Sequence, residues 1–176
     1  TPSIFQGYFF NHEYWHHHRD MLLNYFTPDP NITDWIEYHY GQLFVKDTIS
    51  LHLRLGNDND FIQPVRIEPE WVKNILMDID NDSNILVFSD NESLAKKYVE
   101  QTNYPKSKFH FIDEDPYICM LMMAMCNKHI LSNSTLSFWG AYLDSKQENE
   151  YTYIHESFFE HHPRTMIPYQ SWKIKT

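Results

Sequence analysis

The sequence predicts an α/β fold with a Rossmann-like, mostly parallel sheet flanked by helices and preceded by a helical N-terminal segment. Three observations predict it. From Thr48 onward, short apolar runs alternate with helical stretches, which is the pattern of β-α units joined by right-handed crossovers. Apolar residues make up 42% and aromatic residues 16% of the 176 residues, enough for one domain with a packed core. No internal repeat or linker-like stretch divides the sequence.

We expect residues 1–47 to form the helical segment and residues 48–176 to form the Rossmann-like domain. The first segment has an apolar face around Leu22 and Phe26 and a proline-rich stop after it. The apolar runs predict five strands, at residues 49–53, 85–88, 109–112, 129–131 and 151–154. Helices are predicted between them, at residues 69–79, 92–101, 115–127 and 135–144; the first begins at Pro69, a favoured first-turn residue.

The composition narrows the range of partners. The net charge of −10 and the isoelectric point near 5.4 argue against nucleic acid, which requires a basic face. They do not exclude a phosphate-bearing small ligand, because one or two placed arginines bind phosphate. No run approaches the roughly 20 apolar residues of a membrane span. Cys119 and Cys126 lie about two helical turns apart, beyond the reach of a disulfide, so we expect buried, reduced thiols.

Polar side chains follow the predicted strands at their carboxyl ends, where a parallel sheet binds its ligand. Arg54 leaves the first strand beside Gly56. A guanidinium suits phosphate because its planar fork donates two parallel hydrogen bonds, and a glycine lets the backbone approach a ligand closely. Asn133, Ser134 and Thr135 open a predicted helix, whose first N–H groups attract anions. Together these features predict a diphosphate site that needs no metal.

Alternative readings of the same chain stay open. Arg54 could form a salt bridge at a strand end, and residues 133–135 could simply cap a helix. Asp78 to Asp80 and Asp113 to Asp115 spell D-x-D, a pattern that can hold a divalent cation, but a solvated loop and a helix cap explain them as well. Residues 12–16 satisfy the zinc-peptidase signature H-E-x-x-H, without the extended pattern that has a glycine and a third histidine.

Several segments together resemble glycosyltransferase family 11, the alpha-1,2-fucosyltransferases. The strongest resemblance is in residues 126–143, CNKHILSNSTLSFWGAYL. Residues 51–58, LHLRLGND, are similar to the H-x-R-x-G-D motif shared by several fucosyltransferase families. Weaker resemblances are in residues 5–9, 87–90 and 167–172, and all occur in the family's order.

The resemblance implies one half of a GT-B enzyme, in which two Rossmann-like halves face each other and the donor binds mainly to the C-terminal half. The glycine-rich opening strand and loop of the family are absent from this sequence, so the chain corresponds to the donor-binding portion or to a reduced relative. The implied reaction moves fucose from GDP-fucose to a hydroxyl of a glycan acceptor with inversion, without a metal or a further cofactor. By itself, this chain is expected to bind GDP but to transfer poorly.

The predicted substrate-binding residues are His52, Arg54, Gly56, Asp90, Asn133, Ser134, Thr135 and Ser137. Arg54 is implied to hold the β-phosphate, residues 134–137 are implied to line the diphosphate and nucleoside pocket, and Asp58 is the candidate catalytic base. The expected partners are a nucleotide sugar and a glycan. A non-catalytic module that binds a GDP-sugar or a glycan is the alternative, and a zinc peptidase using His12 and His16 is the third. The compartment follows the source: cytoplasm for a bacterial or viral enzyme, Golgi lumen for a trimmed eukaryotic one.

Overall fold

The centre of the computed structural model is a six-stranded sheet in which all neighbouring strands of the described residues run parallel. The model describes residues 11–56, 67–80, 82–144, 151–160, 167 and 171–175. The strands are β1 (Thr48–Leu53), β2 (Asn84–Ser89), β3 (Phe109–Ile112), β4 (Lys128–Leu131), β5 (Thr152–His155) and β6 (Lys173–Lys175). Their order across the sheet is β3-β2-β1-β4-β5-β6, as in dinucleotide-binding Rossmann sheets. The predicted α/β fold with a parallel sheet flanked by helices is therefore confirmed.

The described helices agree closely with the sequence pattern. They are α1 (Arg19–Tyr25), α2 (Pro30–Tyr40), α3 (Pro69–Ile79), α4 (Glu92–Gln101), α5 (Pro116–Met125) and α6 (Thr135–Tyr142). Three of them, α2, α3 and α5, begin with proline, which costs no backbone hydrogen bond at that position. Both α5 and α6 end two residues earlier than predicted.

Strand β1 alternates between two faces of the sheet that are both covered. Ile49, Leu51 and Leu53 pack into the apolar core formed with α3 and α4. Ser50 and His52 face the other side, because successive side chains of a strand point to opposite faces. All six residues of β1 are buried, so its three polar side chains, Thr48, Ser50 and His52, lie inside the molecule and need hydrogen-bond partners there.

The segment before β1 packs against α6. Trp15 meets Tyr142 edge to face, with ring centroids 4.8 Å apart. Arg19 donates through Nη2 to the carbonyl oxygens of Tyr142 and Asp144, at 2.9 Å each. A cation at this position suits the C-terminal end of a helix, where carbonyl groups lack helical partners. The domain boundary at residue 47 stays a prediction.

The two cysteines are buried free thiols, as predicted. Cys119 donates its S–H to the carbonyl of Glu114 at 3.3 Å and Cys126 to that of Met122, also at 3.3 Å. Burial raises the pKa of Cys119 to about 11. A thiol with such a pKa stays protonated near neutral pH and is a poor nucleophile.

Candidate functional site

The strand order reverses between β1 and β4, and the carboxyl ends of these two strands meet at that point. Open parallel sheets bind ligands in the crevice outside such a reversal. Residues 54–56 follow β1, residues 132–134 follow β4, and Asp90 follows β2 on the far side of β1. Neighbouring strands are about 4.8 Å apart. The predicted substrate-binding residues from His52 to Ser137 therefore gather at one edge of three adjacent strands.

Asp90 organises the chain that leaves β1. Its carboxylate accepts hydrogen bonds from the backbone N–H of Leu55 at 2.8 Å and of Gly56 at 3.0 Å. It also pairs with Arg54, whose Nη1 lies 3.0 Å from Asp90 Oδ2. The side chain of Arg54 stays 33% exposed. Asp90 thus holds the guanidinium in place while leaving it within reach of a ligand.

Gly56 is required by this arrangement. A Cβ atom added at Gly56 would lie 2.5 Å from Asp90 Oδ2, closer than real Cβ atoms approach other atoms. Any side chain at this position would therefore displace the carboxylate that fixes Arg54. The glycine serves the approach of Asp90 to the backbone, which is a contact inside the protein.

His52 links β1 to the residue after β4. Its Nδ1 lies 2.5 Å from Ser132 Oγ, and both residues are buried. Burial lowers the pKa of His52 to about 4, with Asp90 acting to raise it and Arg54 to lower it. The imidazole is therefore neutral at pH 7, and it brings a hydrogen-bonding group without a charge to the edge.

The start of α6 is held by its own serines. Ser134 caps the helix by accepting from the N–H of Leu136 at 3.3 Å. Ser137 is fully buried, and its hydroxyl lies 2.9 Å from the carbonyl of Ser134 and 3.3 Å from that of Ser132. Thr135 is exposed and Asn133 half-buried. Within this group, Asn133, Ser134 and Thr135 have exposed surface at the edge, whereas the Ser137 hydroxyl is turned toward backbone carbonyls.

The candidate base Asp58 lies outside the described residues. Neither D-x-D sequence forms a metal site with other described residues, among which no cluster of three possible ligands occurs. Asp115 caps α5 by accepting from the N–H of Tyr117 at 2.8 Å, and Glu114 accepts from the Tyr40 hydroxyl. That contact and burial raise the pKa of Tyr40, with burial the larger cause, to about 12.

The interpretation of residues 78–80 as a solvated loop is wrong for Asp80. Its side chain is fully buried, with Lys108 Nζ at 2.6 Å and the Tyr104 hydroxyl at 2.7 Å. Asp78 is exposed and pairs with Lys175. The two acids lie two residues apart at the end of α3 and the residue after it, and only Asp80 turns inward.

The H-E-x-x-H sequence is not carried by one α-helix. His12–Tyr14 and His16–His18 are separate 3₁₀ turns, interrupted at Trp15 with φ −136°. His16 lies with Nδ1 3.2 Å from the Tyr142 hydroxyl. The centroids of the His12 and His16 rings lie 5.9 Å apart, but among the described residues no third His, Cys, Asp or Glu joins them as a possible metal ligand.

A line of Ser50, His129 and Asp144 has the residue types of a hydrolase triad. His129 Nδ1 lies 2.9 Å from Ser50 Oγ, and His129 Nε2 lies 3.3 Å from Asp144 Oδ2. The three residues are 1%, 0% and 2% exposed. A nucleophile must reach its substrate, so this buried line satisfies polar groups inside the sheet and does not form an active site.

Sequence reasoning missed Ser132 as a residue of this site. It contacts His52 and, through its carbonyl, the first turn of α6. The signal in the sequence is its position directly after a buried strand and directly before the Asn-Ser-Thr residues. Separately, no helix of the described residues is long and apolar enough to cross a membrane.

Comparison with known proteins finds similarity to glycosyltransferases. Over 147 aligned residues, the chain is 27% identical to an alpha-1,2-colitosyltransferase of Escherichia coli, covering 79% of this chain and 50% of that protein. Over 176 aligned residues, it is 26% identical to the O-antigen biosynthesis glycosyltransferase WbnK of Escherichia coli, covering 88% and 55%. The chain thus spans about half the length of the curated relatives it matches. No family model and no solved structure matches it. Both of these relatives are glycosyltransferases by name.

Proposed function

We propose that this chain is the nucleotide-sugar-binding part of an inverting fucosyltransferase that uses GDP-fucose and forms an alpha-1,2 linkage to a glycan hydroxyl. The similarity to two glycosyltransferases supports the reaction class. The name of one of them includes the same linkage. The motif around Arg54 and the helix that begins at Thr135 support a diphosphate donor.

The observation that carries the proposal is Arg54 at the reversal of strand order, held by Asp90 and still 33% exposed. Its guanidinium is the group that a departing diphosphate requires, since charge builds on the phosphate oxygens as the sugar leaves. The N-terminus of α6, the helix that follows the neighbouring strand β4, adds backbone N–H groups and the positive end of a helix dipole. Both features stabilise the leaving group more than the intact donor, which is what accelerates the reaction.

The proposed step is a single displacement. The acceptor oxygen forms a bond to the anomeric carbon as the bond from that carbon to the β-phosphate oxygen breaks, and GDP leaves. The proton of the acceptor hydroxyl passes to a carboxylate acting as general base. Asp58 is our candidate for that base, because it lies nearest in sequence to the phosphate-binding arginine.

The transferred sugar is the part of the proposal that needs direct discrimination. One relative is named for a colitosyl group, whereas the motifs of this chain resemble those of fucosyltransferases. The test is a thermal-shift screen of the chain with GDP, UDP, CMP, GDP-fucose, GDP-mannose and a GDP-linked colitosyl donor. Ligands that bind the folded state raise its apparent stability by mass action.

We expect GDP and GDP-fucose to raise the melting temperature and UDP and CMP to leave it unchanged. A larger shift in melting temperature with the colitosyl donor than with GDP-fucose would show that the transferred sugar is colitose, and the rest of the proposal would stand. A shift in melting temperature with UDP alone would overturn the proposal that the donor nucleotide is GDP. A longer form of the protein, equal in length to the relatives, is assayed for transfer in parallel. Binding of GDP-fucose without transfer by either form would favour a non-catalytic binding module.

A further inference from the structure

Ser132 connects the two parts of the sheet edge that the proposed function uses. It is 4% exposed, and its Oγ lies 2.5 Å from Nδ1 of His52 on β1. Its backbone carbonyl accepts from the N–H of Ser134 at 2.7 Å and lies 3.3 Å from the Ser137 hydroxyl. One residue therefore ties the strand that leads into Arg54 to the first turn of α6.

The direction of the Ser132–His52 hydrogen bond follows from the surroundings of Ser132. Its hydroxyl has no other hydrogen-bond partner in the described part of the chain. A buried hydroxyl proton needs an acceptor, so Ser132 donates to His52 Nδ1. A neutral imidazole that accepts at Nδ1 carries its proton on Nε2.

The Nε2–H group of His52 is then available at the edge. Nε2 makes no hydrogen bond with the described residues. Three side-chain atoms there are both buried and without a hydrogen-bond partner, namely Arg19 Nε, Trp71 Nε1 and Ser83 Oγ, and His52 Nε2 is not one of them. Nε2 therefore keeps a small solvent-accessible area, although His52 as a whole is only 5% exposed. His52 lies two residues before Arg54, at the carboxyl end of the same strand.

We propose that Ser132 is a positioning residue that fixes His52 as an uncharged Nε2–H donor beside Arg54 and sets this donor against the start of α6. The inference rests on the proposed function for its ligand, a GDP-linked sugar. An uncharged donor suits the sugar or a bridging oxygen of the donor substrate, while the charged Arg54 takes the phosphate. The same tautomer excludes Nε2 of His52 as a general base, since that nitrogen already carries a proton.

The experiment compares three variants with the wild-type chain. Ser132→Ala removes the hydroxyl at nearly constant volume, and Ser132→Thr restores a hydroxyl. Ser50→Ala is the matched control, because it removes a buried hydroxyl that bonds another histidine of the same sheet, His129, at 2.9 Å, and that does not bond His52. Long-range ¹H–¹⁵N NMR reads the tautomer of the His52 ring, and calorimetry measures the affinity for GDP-fucose.

We expect the Nε2–H tautomer of His52 in the wild type, Ser132→Thr and Ser50→Ala, and loss of this single tautomer in Ser132→Ala. Affinity for GDP-fucose should fall roughly five- to tenfold in Ser132→Ala, as for loss of one hydrogen bond, and recover in Ser132→Thr. A proton on Nδ1 in the wild type would overturn the inference, and so would an unchanged ring or an unchanged affinity in Ser132→Ala. If the wild type fails to bind any GDP ligand, the proposed function is wrong. The ring spectra then overturn or retain the tautomer assignment by themselves.

Discussion

The carboxylate of Asp90 has two roles: it forms an ion pair with Arg54 and it accepts hydrogen bonds from the backbone next to Arg54. Asp90 accepts from two backbone N–H groups of the chain that leaves β1, and it pairs with the guanidinium that this chain carries. A change at either residue therefore alters the position of both the side chain and the loop. A lysine at position 54 would keep the charge but could not make the planar, two-bond contact with a phosphate.

We expect Arg54→Lys to weaken binding of GDP by about 1–3 kcal/mol, through loss of the bidentate contact. Calorimetry at one fixed salt concentration measures it. The control is Lys46→Ala, which removes a cation from the opposite edge of the sheet, where Lys46 pairs with Asp82 at 2.7 Å; its affinity should match that of the wild type. Equal affinities of wild type and Arg54→Lys would remove Arg54 from the ligand site.

Some residues at the carboxyl ends of β1, β2 and β4 could be predicted from the sequence and others could not. Arg54 and Gly56 stood out because an arginine and a glycine follow an apolar strand directly. The part played by Asp90 did not, since its backbone partners lie 35 and 34 positions earlier. Likewise, His52 and Ser132 are 80 positions apart. Such contacts depend on strand order and register, which the sequence pattern of each strand does not contain.

Regular elements were predictable where local signals agreed. The predicted strands β1 to β5 differ from the structure by about one residue at each end, because each is an apolar run bounded by turn residues. Strand β6 was missed: its Lys-Ile-Lys sequence has no apolar run, and it lies at the edge of the sheet. Lysine is common on edge strands because it opposes pairing with another chain.

The end of α3 is joined to the starts of β2 and β3 through Asp80. Its carboxylate accepts from Lys108, Tyr104 and the N–H of Ser83. Burial acts to raise the pKa of Asp80, but these hydrogen bonds outweigh it and hold the pKa below its usual value. A carboxyl group with a lowered folded-state pKa stabilises the fold above the unfolded pKa of about 3.9. That contribution is lost as the pH falls through the folded-state pKa.

We expect Asp80→Asn to lower the free energy of unfolding at pH 7 by about 1–3 kcal/mol, because buried donors lose their charged acceptor. The difference from wild type should shrink as the pH falls below about 4. Urea unfolding at a series of pH values measures both effects. Asp82→Asn, which changes an exposed acid, should alter stability little. A difference that stays constant down to the lowest pH would contradict the role of the Asp80 charge.

At the scale of the whole molecule, the candidate donor edge belongs to one parallel sheet. Glycosyl transfer also needs an acceptor held in line with the donor, and this orientation supplies a large share of enzymatic rate enhancement. We expect the 176-residue chain to bind GDP but to transfer fucose poorly by itself. The measurement pairs GDP calorimetry with a transfer assay on galactose-terminated acceptors, and the alpha-1,2-colitosyltransferase with its own substrates serves as the positive control for the assay.

Efficient transfer by this chain alone would show that the acceptor site is already present in it. The same preparations should bind GDP equally well in excess chelator, because an arginine and a helix N-terminus supply the positive potential that a metal would otherwise provide. A loss of GDP binding that manganese restores would bring the acids of residues 113–115 into the site.

The strand order also determines when the edge is assembled as the chain folds. Among the sheet pairings, β1 with β4 joins the residues farthest apart in sequence; Ser50 and His129 bond across 79 positions. Closing so long a loop costs chain entropy before any contact returns it, so such pairings form slowly. We therefore expect β1 to find β2 first and β4 late. The crevice between β1 and β4 is then among the last features to form, and a newly made chain acquires its affinity for ligand only near the end of folding.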